Sequence, residues 1–180
     1  MLLSPTYSQK LLEALVGQGT AASSAADGTS TTVTVGAKNV CWLGLSTTKP
    51  NADGSNFTEP VAGRGYRRVN ISSLMSRTYK SHAESESAAQ AHDRRIGNTG
   101  QIAFHEALDE TDLDAATGGD WGTLMYWGYF TTEGRGTGTP YAWGELDKIN
   151  GAYPSVVTHN VFLFRDGHFE NYIDEPAAGV

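Results

Sequence analysis

The sequence predicts an all-β fold: a single, jelly-roll-like β-sandwich with a short N-terminal helix and a polar insertion. Three observations point there. The 180 residues include 21 glycines and 8 tyrosines, with threonine frequent, a composition of turns and pleated surfaces. Apolar residues recur at every second position in short runs bounded by Gly, Pro, Asn and Asp, which is the period of strands. One run, residues 121–130 (WGTLMYWGYF), places Trp121, Thr123, Met125, Trp127 and Tyr129 on one face and Leu124, Tyr126, Gly128 and Phe130 on the other. Both faces are apolar, so this run is expected inside a layered β structure, with the other strands packed around it.

The chain opens on Ser4-Pro5, a helix start in which serine caps free amides and proline gives up a donor that had no partner. A helix to about Val16 should carry Tyr7, Leu11 and Leu15 on one stripe, with a glycine stop at Gly17 or Gly19. About three turns are marginal alone, so this helix must dock on something. Residues 20–30 are small and polar and read as a linker, which divides the chain into an arm (1–30) and a sandwich domain (31–180).

Strands are expected at Thr31–Val35 and, strongly apolar, at Val40–Ser46, with Trp42, Leu43 and Leu45 in the core. The next loop holds Lys49-Pro50, Asp53-Gly54 and Glu59-Pro60, each with its own turn chemistry. Residues 66–71 alternate less cleanly, which suits an edge or interface strand carrying Arg67 and Arg68. Residues 76–100 form a polar excursion with almost no apolar period, either exposed or holding a short helix around Ala83–Ala91. Phe104 returns to strand. Beyond the organising run, the triple glycine of residues 131–139 reads as a hairpin loop and Tyr141–Leu146 as the returning strand with Trp143. Phe162 and Phe164 lie on the next strand, and the Asp166-Gly167 turn leads to a last one, 169–173.

The formal charge of −7 argues against a phosphate-binding surface, and the short basic clusters Arg64/Arg67/Arg68 and Arg94/Arg95 suit ordinary solvated or interface charge. The single cysteine, Cys41, cannot form an internal bridge and lies in an apolar run. No signal-like or membrane-spanning run is present, so the chain is expected to fold in the cytoplasm, without a membrane or nucleic-acid partner.

Catalysis finds little support. The histidines are scattered, Asn51–Asn56 lacks the spaced carboxylates and closing glutamate of a calcium loop, and no glycine elbow surrounds a serine. Neither a cofactor nor a metal is expected. The acidic run Glu106, Asp109, Glu110, Asp112, Asp114 and Asp120 offers paired carboxylates of the kind glycoside hydrolysis uses, but it has the character of a solvated loop. Trp42, Trp121, Trp127 and Trp143 are able to stack on sugar rings, although alternation assigns about three of the four to the core.

Several phrases, taken in order, carry a resemblance: LGLSTTKP (43–50), NFTEP (56–60), GYRRV (65–69), NTGQIAF (98–104), GDWGT (119–123) and VFLFRDG (161–167). Together they resemble a family of small bacteriophage structural proteins described as tail-fibre-like, over about Ser4 to Ile173. The polar excursion and the linker depart from that pattern by being longer. The resemblance implies a compact β-sandwich in a virion with no enzymatic activity, assembling with tail, baseplate or major capsid protein. Capsid decoration is the nearest alternative and a carbohydrate-binding module the next. The arm, the edge strand and the polar excursion are natural grips for neighbouring subunits, which makes a homo-oligomer expected and Tyr7, Leu11, Leu15, Arg67 and Arg68 the assembly residues. A host surface glycan is a further candidate partner.

Overall fold

The computed structural model describes residues 12, 13, 15, 16, 40–61, 63–82, 87–92, 95–109 and 118–172. The protein is all-β. In chain order the strands are β1 (Trp42–Ser46), β2 (Val69–Asn70), β3 (Met75–Ser76), β4 (Thr78–Tyr79), β5 (Gln90–Ala91), β6 (Arg95–Asn98), β7 (Ile102–Glu106), β8 (Gly122–Thr123), β9 (Tyr126–Phe130), β10 (Ala142–Glu145), β11 (Ser155–Val156), β12 (Val161–Phe164) and β13 (Glu170–Tyr172). They fall into two compact units, one of Met1–Val40, Ile71–Ile102 and Phe164–Val180, the other of Cys41–Asn70 and Ala103–Leu163. The expected boundary at residues 30 and 31, the strand at Thr31–Val35, and the helix residues Tyr7 and Leu11 lie outside the described residues. Within the N-terminal segment Leu12, Glu13 and Leu15 are helical, Leu12 and Val16 are buried, and Leu15 is half-buried.

The second unit is built on an antiparallel four-stranded sheet in the order β10-β9-β1-β2. Leu43 stands opposite Tyr129 and Leu45 opposite Trp127, so these four share one face. Trp42, Phe130, Tyr126 and the facing pair Gly44 and Gly128 occupy the other. The two glycines are a slot for rings: a Cβ on Gly44 would lie 2.8 Å from Phe130, and one on Gly128 2.7 Å from Phe57. Phe57 and Phe130 meet edge to face there, with centroids 5.2 Å apart. As expected, β2 is an edge strand, but only Val69 and Asn70 of the 66–71 run pair with β1.

The run 121–130 is not one strand. It breaks at Leu124 and Met125, so β8 pairs with β11 while β9 pairs with β1 and β10. Gly122 causes the turn, at φ 83°, and the Leu124 and Met125 amides bond to the Pro154 and Ser46 carbonyls. The burial pattern shifts accordingly. Trp121, Leu124, Tyr126, Tyr129 and Phe130 are buried, whereas Met125 and Trp127 are only half-buried. Trp42, Trp143, Phe162 and Phe164 are also half-buried, so of the expected core set Leu43, Leu45, Phe104, Trp121 and Tyr129 are enclosed.

In the first unit the described part of residues 76–100 contributes short strands to a three-stranded sheet β13-β6-β3 and the pair β4-β5; residues 87–91 are exposed, and residues 83–86 of the expected short helix lie outside the described residues. Scattered single residues make its interior. Tyr79 is 1% exposed and lies over Gly97, where any Cβ would collide with the ring, and its hydroxyl donates to Glu170 Oε2 at 2.8 Å. Asn98 is wholly buried, donating to the carbonyls of Gly100 and Arg165 and accepting the Phe169 amide.

Candidate functional site

Glu59 and Arg68, nine residues apart, form a bidentate ion pair inside the second unit. Arg68 Nε lies 2.8 Å from Glu59 Oε1 and Nη2 2.9 Å from Oε2, with side-chain exposures of 0% and 3%. Parallel fork bonds of this kind are among the strongest and most directional that side chains make. A buried pair must also satisfy its remaining hydrogen-bonding groups, and here a loop does so. Arg68 Nη1 donates to the Thr132 carbonyl at 2.9 Å and Nη2 to the Thr137 carbonyl at 3.0 Å. The Gly136 amide donates to Glu59 Oε2 at 2.6 Å.

Those loop groups belong to residues 131–139, the connection between β9 and β10 that the glycine spacing predicts. The loop backbone turns in toward the pair at Gly136, which stands at φ 69°, in the left-handed region that glycine adopts without strain. Arg135 Nε donates to the Pro60 carbonyl and Nη2 to that of Glu59 at 3.3 Å, tying the loop to the segment that carries Glu59. The other loop of this surface, residues 47–60, is held by its own bonds: Asn51 N to Ser55 O, Gly54 N to Asn51 O, Asn56 Nδ2 to Lys49 O, and Ser46 Oγ to Thr58. The two loops touch at Gly54, where a Cβ would lie 2.7 Å from the Pro140 carbonyl. Both loops are therefore fixed to one buried centre; residues 131–139 are exposed apart from half-buried Arg135, and in residues 47–60 the exposed positions are Lys49, Asn51, Ala52, Asp53, Asn56 and Thr58.

Tyr66 completes the centre. Its hydroxyl accepts the Leu45 amide at 2.7 Å and donates to Glu59 Oε1 at 3.1 Å, taking up an edge of β1 beyond the two residues that β2 covers. Burial, with the Glu59 charge next, pushes its phenol well above the ordinary tyrosine value. Arg68 thus differs from the expectation of an assembly grip: it is 3% exposed and bonded internally, while Arg67 beside it is exposed. Alternation held the clue, because Arg68 shares parity with Tyr66, and Tyr66 is the buried aromatic of that stretch.

The acidic run yields a different arrangement. His159, in the left-handed region at φ 66°, sits with Nδ1 3.2 Å from Glu106 Oε1 and Nε2 3.1 Å from Asp109 Oδ2. Each carboxylate is engaged by the same imidazole, and His159 is 58% exposed at its side chain. Asp120 accepts from the Thr158 amide and hydroxyl. These carboxylates brace the 157–160 turn. Glu110, Asp112 and Asp114 lie outside the described residues, and among the described residues no group of three or more His, Cys, Asp or Glu is arranged to hold a metal ion. Of the tryptophans, Trp121 is buried with its Nε1 donating to the Arg64 carbonyl at 2.6 Å. In comparisons with known proteins, no family model, no curated protein and no solved structure matches this chain.

Proposed function

We propose that this chain is a non-enzymatic structural protein of a bacteriophage particle, tail-fibre or baseplate-associated, that presents a preformed loop surface to its surroundings. The observation that carries the reading is the use made of Glu59 and Arg68: a buried ion pair whose every described bond goes to Tyr66, to the other partner, or to the loop 131–137. Such a pair does no chemistry on a substrate. It costs desolvation and returns a fixed loop geometry, which is worth having where a surface must meet a partner without ordering itself first. The ordered phrases that resemble tail-fibre-like proteins supply the particle context, and the exposed Arg67 remains available as a contact to neighbouring subunits.

Cryo-electron microscopy of intact particles tests this reading. Density for the chain at the tail or baseplate is the expected result. Density repeated over the icosahedral shell would make it a capsid-decorating protein instead, and absence from purified particles would overturn the particle role.

A further inference from the structure

The outer end of the four-stranded sheet carries a second feature that the loop surface does not use. β10 is the outermost strand, and Trp143 and Glu145, two residues apart, point to the same side of it. Their attachment points are about 7 Å apart along the strand. Trp143 is half-buried and meets Tyr126 edge to face at 6.0 Å, which holds the indole in place. Glu145 is exposed; its Oε1 accepts the Tyr153 hydroxyl, and Oε2 has no hydrogen-bond partner among the described residues.

A tight hairpin fixes the rest. Ile149 pairs with Ala152 around Asn150 and Gly151, both at positive φ (53° and 82°), the geometry of a two-residue primed turn. Lys148 and Tyr153 are the next pair down this hairpin, and Lys148 Nζ lies 4.7 Å from the centroid of the Tyr153 ring. Glu145, Tyr153 and Lys148 are therefore held by one another, with Lys148 over one face of the Tyr153 ring, while the Trp143 indole, held by Tyr126, stands two residues from Glu145 on the same side of β10.

We propose that Trp143, Glu145, Lys148 and Tyr153 form a binding platform for a neutral pyranose of a glycan chain. A pyranose ring presents a patch of C–H bonds with partial positive charge, which the electron-rich face of an indole or phenol attracts. Its hydroxyls lie around the rim, where Glu145 Oε2 accepts and Lys148 donates. One negative and one positive group cancel at the platform, and the chain's formal charge of −7 disfavours a sialylated or uronate sugar, so an uncharged one is preferred. The mutual bonds of Glu145, Tyr153 and Lys148 restrict the side chains before binding and so reduce the entropy lost on it. The biological use of this platform, attachment of a particle to a cell surface, rests on the reading proposed above.

The test uses the purified full chain on an array of neutral hexose and N-acetylhexosamine oligosaccharides printed beside sialylated and uronate ones, with hits quantified by titration calorimetry. Retention by at least one neutral glycan is expected, with affinity reduced by about tenfold or more in both Trp143→Ala and Glu145→Gln. Ile149→Ser, on the exposed tip of the same hairpin, should bind as the parent does. Circular dichroism checks each fold, and if Trp143→Ala is unfolded the exposed Glu145→Gln decides. No neutral ligand, binding confined to acidic glycans, or unchanged binding in Glu145→Gln would overturn the proposal. So would loss in Ile149→Ser alone, which would place the contact on an apolar tip suited to a protein partner. Glycan binding by a protein absent from particles would overturn the particle role and leave the platform standing; presence in particles without glycan binding would do the reverse.

Discussion

The Arg68 guanidinium lies 3.4 Å from the centroid of the Phe130 ring, covered on its face by the aromatic while its edge is taken by Glu59 and two loop carbonyls. A weakly hydrated planar cation suits such a place as a lysine would not. The same Phe130 ring fills the space above Gly44, so the sheet, the ion pair and the loop 131–139 share one packing centre. Stability and loop presentation are coupled there, and substitutions can separate them.

Glu59→Gln keeps the shape and removes the charge, leaving a buried guanidinium without its counterion. It should destabilise the protein by about 3–5 kcal/mol in urea unfolding. The double variant Glu59→Leu with Arg68→Met removes both ions and should recover much of that loss. Yet the loop would have lost its anchors, so trypsin should cut after Arg135 faster in the double variant than in the parent. Equal cleavage in both would mean the ion pair does not fix the loop.

Tyr66 makes stability depend on alkaline pH. Its phenol is raised well above the ordinary tyrosine value of about 10 in the folded state, chiefly by burial. The sign follows from which state holds the proton: above that value the unfolded chain releases it while the folded one keeps it. The contribution is thus fully present below pH 10 and is lost as pH rises from there toward the folded value. Urea midpoints should fall between about pH 9 and 11 more steeply in the parent than in Tyr66→Phe. At neutral pH Tyr66→Phe should itself cost about 1–3 kcal/mol, because the buried Leu45 amide loses its acceptor. Parallel pH profiles for the two proteins would count against this account.

Class and punctuation were legible in the residues. The apolar run of Trp42–Ser46, the glycine spacing of the 131–139 loop and the Asp166-Gly167 turn all describe local backbone preferences, which short sequence windows carry. The Glu59–Arg68 pair was not legible, because a charge beside Arg64 and Arg67 looks solvated until tertiary packing closes over it. The strands within residues 76–100 were hidden for a related reason. Their interior is made of Tyr79, Ile96 and Asn98, spread among polar neighbours and completed by Glu170 and Phe169 from far along the chain, so no apolar period announces it. In the 121–130 run the apolar pattern outweighed Gly122, although a glycine inside a strand pattern is itself a signal of a break.

Glycine contacts in the first unit give a paired test. At Gly97 an added Cβ would fall inside the Tyr79 ring, and that ring cannot retreat: it is 1% exposed and tied by its hydroxyl to Glu170. At Gly100 nothing lies within 4 Å. Gly97→Ala should therefore cost about 1–3 kcal/mol as overpacking does, and Gly100→Ala should stay within about 0.5 kcal/mol of the parent. Thermal unfolding of the two variants checks this, and equal shifts would show that Tyr79 is not fixed over β6.

The tryptophans offer a measure of where the interior of the second unit lies. Trp121 is 3% exposed, donates its Nε1–H to the Arg64 carbonyl and meets Tyr66 edge to face at 5.3 Å. Trp127, at the centre of the run expected to form the core, is half-buried and lies across β10, where a Cβ on Gly144 would be 2.6 Å from its ring. Trp121→Ala empties an enclosed site and leaves a carbonyl without its donor, so about 3–5 kcal/mol should be lost. Trp127→Ala removes a ring that water already reaches, and about 1–2 kcal/mol is expected from the smaller area returned to solvent. Urea unfolding followed by circular dichroism ranks the two without relying on tryptophan fluorescence. If Trp127→Ala proved the more damaging, the interior would be centred on β9 as alternation alone suggests, and the break at Gly122 would matter less than the packing across Gly144.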